Sequence, residues 1–443
     1  MSEPIGCCRS ATGTAPAPRC VRCDLLVGLD DVYVLDARLR GEHLEVTVES
    51  EPGPVGCPDC GAAGVGHGRQ VVRLVDIPAF GRPVTIIWRK RRFVCPGGAC
   101  ERVTFVENLP GLASPRHATT ARVVEWAVGQ LRREHATVSG LARQLGTAWH
   151  TVWTPVKAAL EALADDPARF DGVRTLGVDE HIWHHVSRRK RGPKELTGMV
   201  DLTRDGDGKV QARLLDLVPG RSGVVFADWL TARGKGFTSG VEIAALDPFH
   251  GYKRAIDDEL EDATAVLDAF HVVKLALGAV DEVRRRLQQQ ICGHRGRKGD
   301  PLYGIRSIIR CDPDRLTERQ WRRFDEALAA DPRHEELFIA WQVAHELRQA
   351  YHHKDLPAGR SAAEKVLATL PSCPIPEIAR LGRTLRKWKA AFLAYWTTGR
   401  SNNGGTEAIN GLIELHRRLA RGYRNRDNYR LRTWKPWSSP STT

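Results

Sequence analysis

Between Val173 and Asp268 the sequence alternates short apolar runs with turn and helix patterns, and no other stretch restricts the possible folds as strongly. Val173–Val178 reads as a buried strand that delivers Asp179 and Glu180 to its end. Glu195–Leu202 reads as a second strand, Thr203–Lys209 as a turn and Val210–Val218 as a third strand, which together make an antiparallel meander. A helical pattern covers Arg221–Ala232, a fourth strand Val241–Asp247, a helix Phe249–Leu260 and a fifth strand Ala263–Asp268.

The order strand-strand-strand-helix-strand-helix-strand predicts one mixed sheet of the RNase H-like kind, with its working residues at the ends of strands one and four. Asp179 and Asp247 are then neighbours. A third acid, Glu407, lies in the first turn of the helical pattern that opens at Thr406-Glu407-Ala408-Ile409-Asn410. Three converging carboxylates can hold two Mg²⁺ ions about 3.5–4 Å apart, an arrangement that activates an attacking oxygen and stabilises the leaving oxygen of a phosphodiester. Acids also end many strands for no such reason, so convergence carries the argument. Asp268 competes for the role of Asp247, because it too ends a strand, with His271 one turn further on; the expectation is that Asp268 and His271 support Asp247, and that Glu180 and His181 help to position Asp179.

The 160 positions between Asp247 and Glu407 exceed what one helix needs. Val273, Leu277, Val280, Val283 and Leu287 share one helical face, and so do Ile378, Leu381, Leu385, Trp388, Phe392 and Tyr395, which predicts an α-helical insertion. Arg284, Arg285, Arg286, Arg295, Arg297 and Lys298 fit either contact with DNA or a solvated charged face.

Before the sheet, Val32–Val48 alternates around Gly41 as a β-hairpin. It leads to Cys57-Pro-Asp-Cys60-Gly61, followed by Cys95 and Cys100. Two such pairs supply four thiolates to a structural Zn²⁺, which substitutes for the core that so small a segment lacks. His67 is a weaker candidate ligand, and Cys20 and Cys23 have ligand spacing without a second pair nearby. Arg89, Lys90, Arg91 and Arg92 give the ribbon a basic edge. Further on, Thr137–Gly146 and Trp149–Lys157 read as a helix, a turn and a second helix, a helix-turn-helix in which Trp149, His150, Thr151 and Thr154 reach DNA while Val152, Trp153 and Val156 pack inward.

Composition agrees with a polyanionic partner: the 443 residues carry a formal net charge of +13, and 42% hydrophobic residues suffice for packed cores. Eleven cysteines, several in close pairs, fit metal binding in a reducing compartment rather than a disulfide framework. No apolar run approaches a membrane span and Met1–Ala17 lacks the pattern of a leader, so a cytoplasmic, nucleoid-associated protein without a membrane partner is expected.

At this point the sequence resembles the bacterial insertion-sequence transposases of the ISL-three type. The residues that carry the resemblance are Cys57-Pro-Asp-Cys60-Gly, Arg92-Phe93-x-Cys95 with Thr104-Phe105, Trp149-His-Thr-Val-Trp153, Leu176-Gly-Val-Asp-Glu180, Pro219-Gly-Arg221, Asp247–Tyr252, Asp268-Ala-Phe-His-Val-Val-Lys274, and Glu407-Ala-Ile-Asn410 through Gly422-Tyr-Arg-Asn425. Ala269 and Pro248 depart from the expected pattern without removing a carboxylate.

The resemblance implies a DDE transposase with Asp179, Asp247 and Glu407 as ligands of Mg²⁺ (or Mn²⁺) and Cys57, Cys60, Cys95 and Cys100 as ligands of Zn²⁺. Glu180, Asp268, His271 and Asn410 would support the triad. DNA contacts are expected at Arg91, Arg92, Trp149, His150, Thr151, Thr154, Arg188, Arg189, Lys190, Arg417, Arg418, Arg421 and Arg424, and the partners are double-stranded DNA, as terminal inverted repeats and target, and a second copy of the chain.

The expected organisation is an α/β multidomain chain. A disordered tail covers 1–24, a β-rich zinc-ribbon domain 25–112 and a helix-turn-helix domain 113–168. An RNase H-like catalytic core begins over 169–275, is interrupted by the α-helical insertion at 276–398, and is completed with a basic C-terminal helix over 399–443. Two rivals remain: a catalytically silent, transposase-derived DNA-binding regulator, and a structure-selective nuclease on the same fold.

Overall fold

The computed structural model describes residues 20–184, 192–423 and 425–433, and they fall into two compact units. Unit one joins the chain up to Asp166 with the segment that begins at Leu415; unit two is Pro167–Glu414. The chain is mixed α/β with two mixed sheets.

The sheet of unit one runs β1-β2-β4-β3, from β1 (Val32–Arg40), β2 (His43–Ser50), β3 (Val65–Ala79) and β4 (Arg82–Val94), with β5 (Thr104–Val106) added to β4. Both hairpins close on two residues. Gly41 has φ +60°, and the second loop holds Phe80 and Gly81 at φ +54° and +72°, the left-handed pair a type I′ turn requires. Three helices follow, Ala121–Arg133, Val138–Gln144 and Trp149–Asp165, with the Thr137 side chain capping the second.

Two expectations are corrected here. The disordered tail expected over 1–24 does not hold for its last residues, because Val21–Val27 is a helix and the Val34 N–H donates to Asp24; residues 1–19 lie outside the described residues. The basic segment expected to complete the catalytic core is divided: its described residues from Leu415 to Thr433 belong to unit one, where the helix Arg426–Thr433 buries Tyr429 and Leu431 against the helices Ala121–Arg133 and Trp149–Asp165.

In unit two the sheet order is β10-β9-β6-β7-β8, built from β6 (Thr175–Ile182), β7 (Glu195–Asp201), β8 (Arg213–Pro219), β9 (Ile243–Leu246) and β10 (Thr264–Leu267). β6, β7 and β8 pair antiparallel, and β9 and β10 add in parallel. Parallel strands covered on both faces read as continuous apolar runs, which is why β9 (IAAL) and β10 (TAVL) show no alternation. The turn after β7 is held by Asp205, whose carboxylate accepts from the N–H groups of Asp207 and Lys209.

The region expected as a separate insertion is helical, but its core is continuous with that of the sheet: Val178, Leu246 and Leu267 belong to the same buried cluster as Trp341, Phe392 and Trp396. The predicted face from Ile378 to Tyr395 is buried, although it is carried by two helices, Pro376–Lys387 and Lys389–Thr397, that meet at Trp388. The arginines of the helix Ala269–Cys292 are engaged within the fold. Arg284 and Arg285 bind Asp281, and Arg286 binds Glu377 and Glu336.

Candidate functional site

Strand register builds the acidic centre. In the parallel pairs Val178 lies opposite Leu246, and Leu246 opposite Leu267. Each strand places an acid at the next position, so Asp179, Asp247 and Asp268 form a row across three adjacent strands, with Asp247 central. Carboxylate oxygens of Asp179, Glu180 and Asp247 lie within 4.8 Å of one another, and ligand atoms of Asp247, Asp268 and His271 form a second such group. The helix Gly404–Leu419 brings Glu407 to the same place: its Oε1 is 4.0 Å from His271 Nδ1.

Hydrogen bonds fix the first acid. Asp179 Oδ1 accepts from the Glu180 N–H at 2.7 Å and Oδ2 from Asn410 Nδ2 at 2.9 Å. Burial, reinforced by the charge of Asp247, nevertheless pushes its carboxyl up to about 7. Glu180 is raised by burial as well, and its Oε1 receives Arg221 at 2.8 Å. Asp247 is 8% exposed and its Oδ1 is buried without a hydrogen bond. That orphan oxygen, facing two further carboxylates, fits a divalent cation.

Asp268 is placed differently. It caps the helix Ala269–Cys292 through the His271 N–H and also accepts from the Asn403 N–H at 2.9 Å. Burial alone would raise its carboxyl, yet the bonds from His271 and Asn403 hold it below the usual range. His271 lies between the two acids, with Nε2 2.9 Å from Asp247 and Nδ1 3.0 Å from Asp268. Burial would lower its pKa, but the two carboxylates outweigh that and push it up to about 10.

Sequence reasoning passed over Asn403, taking it for a helix-entry residue. It is fully buried, donates Nδ2 to the Val178 carbonyl at 3.0 Å and gives its N–H to Asp268, so it ties β6, the end of β10 and the helix of Glu407 together. Gly177 makes this approach possible, since a Cβ there would overlap Thr406 and Asn403.

The second metal candidate lies in unit one. The Sγ atoms of Cys57, Cys60, Cys95 and Cys100 are mutually within 4.8 Å, with Cys60–Cys95 at 3.5 Å and Cys57–Cys100 at 3.9 Å. Those separations bracket the edge of about 3.8 Å of a tetrahedron with metal–sulfur bonds of about 2.3 Å. The knuckle turns at Gly61, with φ +74°, and stacked Phe93 and Phe105 make its small core. Hydrogen bonds from backbone groups and neighbouring thiols outweigh burial and bring the Cys57 thiol down to about 7. His67 is exposed and outside the cluster.

The expected DNA contacts divide. Arg91 turns inward and pairs with the buried Glu107 at 2.8 Å, because a carboxylate out of water requires a partner. Arg92, His150, Thr154, Arg418 and Arg421 are exposed, and Thr151 and Arg417 are half-buried. Trp149 is 36% exposed, and its ring meets those of His150 and Trp153. Arg188, Arg189, Lys190 and Arg424 lie outside the described residues.

Two family profiles and several transposases match this chain. Residues 176–433 match the family profile of the ISL3-type DDE transposases, and residues 53–100 match the zinc-finger of transposase IS204/IS1001/IS1096/IS1165. The transposase for insertion sequence element IS1557 of Mycobacterium tuberculosis is 25% identical over 348 residues, covering 71% of this chain and 74% of that protein. The transposase for insertion sequence element IS1001 of Bordetella parapertussis is 26% identical over 382 residues, 85% of this chain and 87% of that protein. Among solved structures, the Drosophila P element transposase strand transfer complex aligns over 62% of this chain and 79% of that one, at 9% identity and a TM-score of 0.35. Among the described residues no helix is long and apolar enough to cross a membrane. With the transposase profile spanning more than half of the sequence and the zinc-finger profile preceding it, the chain belongs to the ISL3 family of DDE transposases.

Proposed function

We propose that the chain cleaves the ends of its insertion sequence and joins them to target DNA, with Asp179, Asp247 and Glu407 as the ligands of two divalent cations, Mg²⁺ or Mn²⁺. The observation that carries this reading is the row of acids at the ends of three parallel strands, met by the helix of Glu407. The sheet order β10-β9-β6-β7-β8 supports an RNase H-like assignment for unit two.

When bound, the cations supply positive charge at the attacking and leaving oxygens of the phosphodiester. The protein groups supply geometry. Asn410 and the Glu180 N–H orient Asp179, Arg221 neutralises Glu180, and His271 spans Asp247 and Asp268. Asp268 has its oxygens engaged by His271 and Asn403, which favours Asp247 as ligand and Asp268 as its support.

Exposure of His150 and Thr154 beside the buried Val152, Trp153 and Val156 supports the helix-turn-helix assignment, with Trp149–Asp165 entering the major groove. Cutting two ends in concert calls for at least a dimer on DNA, in the cytoplasm at the nucleoid.

The test is metal-dependent cleavage and joining on DNA from the flanks of the encoding gene. Wild type joins ends, Asp247→Ala binds without cutting, and Asp268→Ala cuts more slowly. Normal cutting by Asp247→Ala would sink the ligand assignment. Binding without cleavage by the wild type would favour the silent regulator.

A further inference from the structure

Unit one holds a hollow of about 870 Å³ that neither candidate metal centre uses, and all of its lining residues belong to that unit. The volume falls within the range of roughly 300–1,000 Å³ for ligand sites. Three helices each contribute a pair of side chains four positions apart: Ser139 and Arg143 from Val138–Gln144, Trp149 and Trp153 from Trp149–Asp165, Asn428 and Arg432 from Arg426–Thr433. Residues 419–423 close the remaining side. Half of the wall therefore comes from the segment 415–433, which is held here because Tyr429 and Leu431 are buried against the earlier helices.

The charge of the lining selects its ligand. Arg143, Arg421 and Arg432 line the hollow and no carboxylate does. Among the described residues none of the three has an ion-pair partner, whereas Arg284 and Arg286 in unit two are matched with Asp281, Glu336 and Glu377. Arg143 and Arg421 are exposed. Arg432 is half-buried with its guanidinium 5.0 Å from the centre of the Tyr423 ring, and burial pulls its pKa below the ordinary arginine value.

Two further atoms of this lining, Arg432 Nε and the Tyr423 hydroxyl, are buried without a hydrogen-bond partner among the described residues. Buried polar groups normally find one. A guanidinium only donates and a phenol can donate, so the partner they lack is an acceptor, and three cations without counter-charge make it an anion. Arginine is the side chain best matched to phosphate, through paired N–H groups.

The neighbouring surface indicates which phosphate. Trp149 opens the helix whose exposed His150 and Thr154 are expected to face base edges, so the hollow borders the DNA-reading surface. Phosphates that flank a groove carry no sequence information, but they fix the register in which a helix enters it.

We propose that this hollow seats one backbone phosphate of the terminal repeat, gripped by Arg143, Arg421 and Arg432, so that the segment 415–433 takes part in end recognition by the N-terminal unit. The inference rests on the transposase reading. Its effect is on register: the seated phosphate fixes where along the repeat the helix Trp149–Asp165 lies.

The experiment uses the full-length protein and duplex DNA from the flanks of the encoding gene, with an uncharged methylphosphonate replacing one phosphate at a time. Wild type loses affinity by about 10- to 100-fold at one position, the range of a charged hydrogen bond. Arg432→Gln binds unmodified DNA more weakly by the same factor, its salt slope falls by about one, and it is indifferent to the methylphosphonate at that position alone. Arg143→Gln repeats the pattern; because Arg143 is exposed, this variant keeps the core intact and decides the matter if Arg432→Gln misfolds. Wild-type affinity in both variants, or losses that add at every position, overturns the phosphate seat and leaves the transposase reading standing. Thermal stabilisation of wild type by inorganic phosphate or a mononucleotide, lost in variants that bind DNA normally, assigns the hollow to a small anion and likewise overturns it. Failure of wild type to bind any flanking DNA overturns both.

Discussion

The zinc-ribbon cluster and the acidic centre are both candidate metal-ligand sets, built by opposite means. The four thiols come from two tight turns within residues 57–100, around a core of little more than Phe93 and Phe105. The carboxylates stand on a large core that already exists, at the ends of three strands and on a helix 160 positions beyond Asp247. In the ribbon the metal holds the fold. In the sheet the fold holds the acids, against their mutual repulsion, and a metal there would serve the proposed chemistry.

The contrast is sharpest in activity. Asp247→Ala is expected to reduce end cleavage by roughly a thousandfold or more, with zinc content and end binding unchanged, as measured by single-turnover cleavage, metal analysis and gel shift. A parallel loss of zinc would break the separation of the two centres.

Cys60→Ser addresses the other side. Removing one of four thiolates is expected to weaken zinc binding by more than the roughly 10- to 100-fold that loss of an outer-shell partner costs, and to melt the ribbon. Thermal unfolding of unit two should stay unchanged. Coupled melting of both units would show that the ribbon is no independent structural site.

Stability against pH distinguishes the centres next. Asp179 releases its proton at about 7 in the fold and at roughly 4 when unfolded. Between those values the folded chain keeps a proton that the unfolded chain has lost, so metal-free stability falls as pH rises from about 4 to about 7 and stays lower above. Asp179→Asn is therefore expected to stabilise the metal-free protein at pH 8 by about 2–4 kcal/mol, with the difference vanishing near pH 4. Denaturant titration without added Mg²⁺ or Mn²⁺, zinc retained, at both values measures it, and equal stability at pH 8 would show that the acids repel less than burial implies.

The smallest effect concerns the tie between strands and helix. Asn403→Ala removes the side-chain bond to Val178 and is expected to cost about 1–3 kcal/mol. Its backbone bond to Asp268 remains, so cleavage should slow without vanishing. Wild-type cleavage would make Asn403 a purely structural residue.

Much of this arrangement was legible from residue order. Apolar runs ending in Asp179, Asp247 and Asp268 announced strands, and parallel register turned three separate endings into one row. The cysteine knuckle was legible because its ligands are close in sequence. Side-chain destinations were harder to read. Arg91 looked like a DNA contact, but whether an arginine faces solvent depends on Glu107, which reaches it only once β5 has paired with β4. Asn403 was missed because its partners, Val178 and Asp268, are over a hundred positions away. The destination of the segment after Leu415 was equally hidden, since basic residues at a helix end do not say which core Tyr429 and Leu431 will join.

Placing Asn403 and Glu407 so late in the chain also sets the order of events during synthesis. At about 5–20 residues per second, the ribosome needs on the order of 10–30 s to pass from Asp247 to Glu407. Through that interval the strand-end acids exist without their last partner, and unit one still lacks Tyr429. A nascent or prematurely arrested chain therefore carries neither a closed acidic centre nor a finished N-terminal unit. The two helices Gly404–Leu419 and Arg426–Thr433 thus complete both units together.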